Sequence, residues 1–326
     1  NAGTAVTTGT ENTLVGSRAG DALTTGSYNV AIGMDALDAE DTGSRNIAIG
    51  YNSLKALNYD GNGYNVAVGF DAGKAMSTGI QNTLIGGLAG DALTTGSNNI
   101  AIGVLALSAE DTGGKSIAVG MQALAAQNYD GDAYNVAVGH QAGLAVTTGI
   151  QNTVVGGRAL QANTVGLGNV ALGYQAMYTN VDGSKCVAIG TNALLAQEPA
   201  SALDMYNVAI GYNAGAAITS GIDNTLIGAL AGDAITSSSQ NVALGSSALS
   251  ALTIGTANVA LGYRTLFASV DGDHNTAVGY KALEDYEDGD GNGHNTAIGS
   301  KSQLNATTGE FNTSVGSLSF GSGVLT

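Results

Sequence analysis

Asn29-Val30-Ala31-Ile32-Gly33-Met34-Asp35-Ala36 is followed seventeen residues later by Asn46-Ile47-Ala48-Ile49-Gly50-Tyr51-Asn52-Ser53. In each stretch, β-branched residues alternate with Asn and Ala. That is the period-two pattern of a pleated strand, with the residue types that strands favour. Glycine closes the strand, where a side chain would obstruct a bend or a close backbone approach. The block recurs eighteen times along 326 residues, from Gly16 to Gly316, and thirteen of the seventeen glycine spacings are 17 residues. The residue before the glycine is always Val, Ile or Leu, and the residue three before it is always Val, Ile or Thr. Ala stands two before it in thirteen copies and Asn four before it in sixteen, with Ser116 and Cys186 as the exceptions. Polar turns such as Thr24-Thr25-Gly26, Asp41-Thr42-Gly43 and Thr147-Thr148-Gly149 separate the copies, in residues suited to turns.

A helical reading fails, because several glycines per repeat would each cost about 1 kcal/mol in a helix. A seventeen-residue unit is also too small to bury its own core. Stacked coils solve both problems, since each strand then pairs with the same strand of the next coil. The expected fold is an all-β parallel solenoid, or β-roll, of about 18 coils. At about 4.8 Å per rung it reaches about 85 Å. Stacking places Asn29, Asn46, Asn65, Asn82, Asn99, Asn135, Asn152, Asn169 and Asn207 in one ladder. Their amides are expected to bond along the stack, as in cross-β ladders.

A longer period overlies the short one. Gly16, Gly86, Gly156, Gly228 and Gly299 are 70, 70, 72 and 71 residues apart. Residues 1–326 therefore read as a single repetitive domain built from a four-coil unit. Longer turns at 55–64, 125–134, 195–206 and 284–294 protrude about once per unit. Residues 2–9 match 142–149, so the chain begins mid-repeat without a cap. Open strand edges invite pairing, which makes end-to-end stacking of copies an expectation.

The bulk numbers agree with a rod that catalyses nothing. Glycine occurs 50 times, proline once and tryptophan never, and only 11% of residues are charged. The net charge of −16 argues against nucleic-acid binding, which needs clustered cations. No stretch approaches the roughly 18 apolar residues of a membrane helix, and no signal peptide is visible. The single cysteine, Cys186, sits in a ladder slot and reads as a small buried residue. His140, His274 and His294 hold no recurrent position, and no nucleophile–base spacing or phosphate loop is present. No cofactor is expected.

Two segments suggest ligands. Asp288-Gly-Asp290-Gly-Asn292 resembles the start of a calcium loop, yet its twelfth position falls on Gly299 rather than a bidentate Glu. Turn chemistry accounts equally for Asp288, Asp290 and Asn292. Tyr59 and Tyr129, with Tyr64 and Tyr134 nearby, occupy equivalent long turns. They offer amphipathic contacts to a host glycan or receptor, or they shield the coil beneath. Glu284, Asp285, Glu287 and Asp288 read as solvated turn carboxylates rather than the paired acids of glycan cleavage.

Copies such as Asn275-Thr-Ala-Val-Gly279 and Asn295-Thr-Ala-Ile-Gly299 resemble the repeats of bacteriophage tail fibres, especially those ending in a self-cleaving chaperone domain. Asn29 to Gly33 and Asn207 to Gly211 are also similar to the heads of trimeric autotransporter adhesins. The resemblance covers nearly the whole chain and implies a homotrimer of left-handed parallel β-rolls, located in a virion or at a cell surface. The added Thr-Thr-Gly turn favours the phage fibre over an adhesin head, and a self-polymerising extracellular filament is the other alternative. The residues themselves leave two states open. Each strand has two apolar faces, so the face not filling the coil meets a partner copy, with Ala permitting close approach, or the rod is a single chain.

Overall fold

The computed structural model describes residues 1–287 and 293–320. It is an all-β parallel solenoid of about eighteen turns, about seventeen residues apart, with no helix among the described residues. The chain packs as two units, Asn1–Val165 and Gly166–Thr326.

In the first unit, nine three-residue strands pair in chain order: β1 (Thr13–Val15), β2 (Val30–Ile32), β3 (Ile47–Ile49), β4 (Val66–Val68), β5 (Thr83–Ile85), β6 (Ile100–Ile102), β7 (Ile117–Val119), β8 (Val136–Val138) and β9 (Thr153–Val155). The second unit repeats the arrangement with β10 (Val170–Leu172), β12 (Val187–Ile189) and β14 (Val208–Ile210). It continues through β15 (Thr225–Ile227), β16 (Val242–Leu244), β17 (Val259–Leu261), β18 (Thr276–Val278), β19 (Thr296–Ile298) and β20 (Thr313–Val315). Register places like on like: Val30 opposes Ile47, Ala31 opposes Ala48 and Ile32 opposes Ile49. Two short strands, β11 (Gly183–Ser184) and β13 (Leu203–Asp204), pair beside a long turn.

Ala and Asn face the interior. Ala31, Ala48, Ala67 and Asn29 are fully buried, whereas Val30 and Ile32 are half exposed. Alanine therefore brings the walls of one coil together, not neighbouring molecules as the small face had suggested. Core volume is conserved by exchange between positions. Where Leu84 and Leu226 replace the strand alanine, glycines face them across the core. A Cβ at Gly73 would meet the Leu84 methyl at 2.7 Å, and one at Gly90 would meet it at 2.9 Å. Gly215 and Gly232 stand in the same relation to Leu226, each at 2.9 Å. Such close packing leaves no space for an added methyl.

The strand-ending glycines adopt φ values of +129° to +149°, open only to glycine. A Cβ at Gly103 would also lie 2.5 Å from the carbonyl oxygen of Gly120 in the next coil. Corners carry left-handed residues that are polar, charged, aliphatic and aromatic, but none is β-branched among the described residues. Tyr28, Asp35 and Leu37 have φ of 62°, 60° and 53°. Each costs about 1 kcal/mol or more locally. Inter-coil bonds offset that cost: the N–H groups of Tyr28, Asp35 and Leu37 donate to the carbonyls of Thr10, Ser17 and Ser53, each at 3.0 Å.

The ladder differs in wiring from a plain stack of amides. The Oδ1 of Asn29 accepts the backbone N–H of Asn46 (2.9 Å), and its Nδ2 donates to the Gly43 carbonyl (2.9 Å). Asn82 and Asn99 repeat the scheme with Gly96 and Gly113. Direct amide–amide bonds occur as well, as from Asn65 to Asn46 at 3.2 Å. Interior glutamines mend the two interruptions. The Gln127 amide donates to Ser116 Oγ (2.8 Å) while its oxygen accepts from Asn135 (2.9 Å). Gln197 likewise links Cys186 (3.3 Å) to Asn207 (3.2 Å). At the first equivalent position, where Asn46 is present, the partner is Leu57.

Candidate functional site

Outward-facing strand side chains form two apolar columns along each unit. Ile85, Leu172 and Leu244 are 38%, 43% and 49% exposed, and every other rung presents Val, Ile, Leu or Thr at the same two positions. The residue after each strand glycine widens the stripe at Met34, Tyr51, Phe70, Tyr212, Tyr263 and Tyr280. Tyr51 stacks on Phe70 at 5.4 Å and Tyr263 on Tyr280 at 5.7 Å. Large exposed apolar patches are, in proteins generally, characteristic of interaction sites.

Long turns carry a second set of groups. The Tyr59 and Tyr129 rings are half buried and lie against their own turns. A Cβ on Gly61 would sit 3.0 Å from the Tyr59 ring, and one on Gly131 would sit 3.1 Å from that of Tyr129. Tyr64 and Tyr134 are exposed, each beside a cation. Arg45 lies between the rings of Tyr28 and Tyr64, at 4.9 and 5.9 Å, and bonds Asn62. Lys115 lies 5.2 Å from the Tyr134 ring and bonds Asp132 at 2.7 Å and the tyrosine hydroxyl at 3.2 Å. A third copy joins Lys185, Asp204 and Tyr206, with the Lys–Asp pair at 2.6 Å. Short bridges hold the acidic or amide member in place: Ser44 to Asn62, Gly114 to Asp132, and β11 to β13. Hydrogen bonds donated to Asp132 and Asp204 hold the pKa values of Lys115 and Lys185 above the ordinary range, and Lys185 lowers that of Asp204.

Sequence reading found Tyr64 and Tyr134, but neither Tyr28 and Tyr206 nor the cationic partners. The signal was positional: each cation precedes its tyrosine by one coil at the same place in the repeat, as 45 to 64, 115 to 134 and 185 to 206. The ladder residues Asn29, Asn46, Asn65, Asn82, Asn99, Asn135, Asn152, Asn169 and Asn207 are buried, so they serve the fold and present nothing outward.

Carboxylates are also found inside. Glu40 and Glu110 are fully buried and accept the backbone N–H of Gly43 (2.7 Å) and Gly113 (2.8 Å). Burial raises both pKa values above the glutamate norm, although these hydrogen bonds oppose it. A raised native pKa means the folded state binds more protons between the unfolded value and its own. The contribution of these groups to stability is therefore full below the unfolded pKa and is lost as pH rises through the native one. Relative to an E40Q/E110Q variant, the protein is expected to gain on the order of 1 kcal/mol on moving from pH 7 to pH 4. Urea melts of both proteins across that range check this; a constant difference contradicts it.

Glu284 departs from the solvated reading of its turn. It is buried, with Arg264 at 2.7 Å and Lys281 at 3.1 Å. Asp288, Asp290 and Asn292 lie outside the described residues. Among the described residues no three His, Cys, Asp or Glu side chains gather as a metal site, and no helix is long and apolar enough to cross a membrane. Cys186 is buried, and desolvation pushes its thiol up to about 11. Because the thiolate is the reactive form, the native protein is expected to react with a thiol reagent at least 100-fold more slowly than in denaturant. A stopped-flow trace with equal rates in the two states contradicts that burial.

No family model matches the chain, and comparison with curated proteins returns no match.

Proposed function

We propose that this chain is a structural fibre segment of a virion, of the phage tail-fibre type, working as a homotrimer that spans distance and presents its long turns for host attachment. The observation that carries this reading is the outward stripe of Val, Ile and Leu. Water-exposed β-branched columns running along each unit are costly to leave solvated, and burial recovers about 25 cal/mol per Å². Further copies of the same chain are the fitting occupants, because each presents identical rungs at one spacing and head-to-tail contacts whose rotation closes form a ring. Closed cyclic symmetry satisfies every copy, and three narrow faces meeting on an axis suit a stripe only a few residues wide. The exposed Tyr64 and Tyr134 lie on turns, where a host glycan or receptor would reach them. A location in a virion or at a cell surface follows from that role.

Solution mass by light scattering tests the assembly. Three times the chain mass is expected, and Ile102→Asp on the stripe is expected to shift the protein to monomer while keeping its β signal. A wild-type chain that sediments as a monomer at micromolar concentration overturns the reading. Attachment is tested separately by cell adsorption of the fluorescent trimer, with Tyr64→Ser and Tyr134→Ser expected to reduce it.

A further inference from the structure

One surface column ends in a run that neither the fold nor the fibre role uses. Its last rungs are Ala257, His274, His294 and Phe311, each left-handed in backbone, with φ of 56°, 57°, 51° and 58°. Backbone bonds fix the histidines from below. His274 N–H donates to Thr256 O at 3.0 Å and His294 N–H to Asp273 O at 3.1 Å. Both side chains are exposed. Their imidazoles stack with centroids 4.7 Å apart and planes 6° from parallel. Phe311 covers the far face of His294 at 5.0 Å, within 5° of parallel. On the other side stands the methyl of Ala257, which leaves the outer face of His274 open. Neither imidazole makes a side-chain hydrogen bond among the described residues, so their ring nitrogens are free to act as ligands.

We propose that His274 and His294 form a two-imidazole surface site for a borderline transition-metal cation, of the Zn²⁺, Ni²⁺ or Cu²⁺ class. Imidazole is the ligand these ions prefer, whereas Mg²⁺ and Ca²⁺ take oxygen. Metal–nitrogen bonds of about 2.0–2.1 Å require the two nitrogens to stand roughly 3–4 Å apart. The rings stand 4.7 Å apart but face to face, so each must turn out of the stack for its in-plane nitrogen to point at a shared ion. Adjacent rungs hold the two side chains next to each other before the ion arrives, which lowers the cost of bringing them together. Water fills the remaining positions around the ion, as at an open site.

Calorimetric titration of tag-free protein with NiCl₂ and with ZnCl₂ tests the site. One saturable ion per chain is expected for each metal. His274→Ala and His294→Ala are each expected to weaken it at least tenfold, and His140→Ala, which removes the isolated histidine, to leave it unchanged. All three positions are exposed, and circular dichroism confirms that the variants fold. Absence of saturable binding, or affinity unchanged in His274→Ala or His294→Ala, overturns the proposal and leaves the stack as an aromatic contact alone. Neither result bears on the trimer.

Discussion

Gly103→Ala is expected to destabilise the first unit by about 3–5 kcal/mol. Two penalties add at one atom. The native φ of +136° is open only to glycine, which alone costs about 1–3 kcal/mol. The new Cβ would also stand 2.5 Å from the oxygen and 2.6 Å from the carbon of Gly120, atoms of the adjacent backbone that cannot rotate away. Relief requires the two coils to part, and the strand bonds between Ile102 and Val119 part with them. Repeat proteins lose structure around a damaged interface before they unfold throughout. Hydrogen exchange is therefore the sensitive readout, with loss of protection centred on residues 100–120. Unchanged protection there would show that the coils are not in van der Waals contact.

Asn99→Ala ranks second, at about 2–5 kcal/mol. Its side chain accepts the N–H of Ser116 at 3.0 Å and donates to the Gly113 carbonyl at 2.9 Å. Truncation leaves both groups buried without a partner, each at about 1–3 kcal/mol, and opens a cavity. The contrast with Ser116 is instructive, because a small residue is tolerated there only with Gln127 reaching across. At the corresponding place after Asn99 stands Glu110, already bound to Gly113. Denaturant melts of Asn99→Ala measure the loss, and the companion pair Ser116→Asn/Gln127→Leu, copying Asn46 and Leu57, separates ladder chemistry from volume. If Asn99→Ala matches wild type, the ladder contributes nothing.

The period, the eighteen strands and the ladder positions were legible because each rests on a residue-type signal repeated at a fixed interval. Which face turns inward was not. Val30 and Ile32 are the more apolar side chains, yet Ala31 and Asn29 fill the interior. The coil is too narrow for β-branched residues on every rung, and that width is set by tertiary packing rather than by propensity. The left-handed corners were also hidden. Leu37, Arg18 and Tyr28 carry no mark of a positive φ, since the inter-coil hydrogen bonds that enforce it reach Ser53, Asn1 and Thr10, one coil away. At the surface, Tyr64 and Tyr134 stood out by composition, while Arg45 and Lys115 became partners only once the rungs were in register.

The exchange of Leu for Gly across the core has a consequence for how such a chain can grow or shrink. Coils look alike but are not interchangeable beads, because each must fit the contour of the one before it. Excising the lone coil that contains Gly73 would press Leu84 onto Leu54, whose side chains that glycine now keeps apart. Removing a block of 70 residues instead sets Leu84 where Leu14 had been, with no new junction. Length can therefore change freely only in whole blocks, so the ruler has coarse graduations even though its smallest division is seventeen residues.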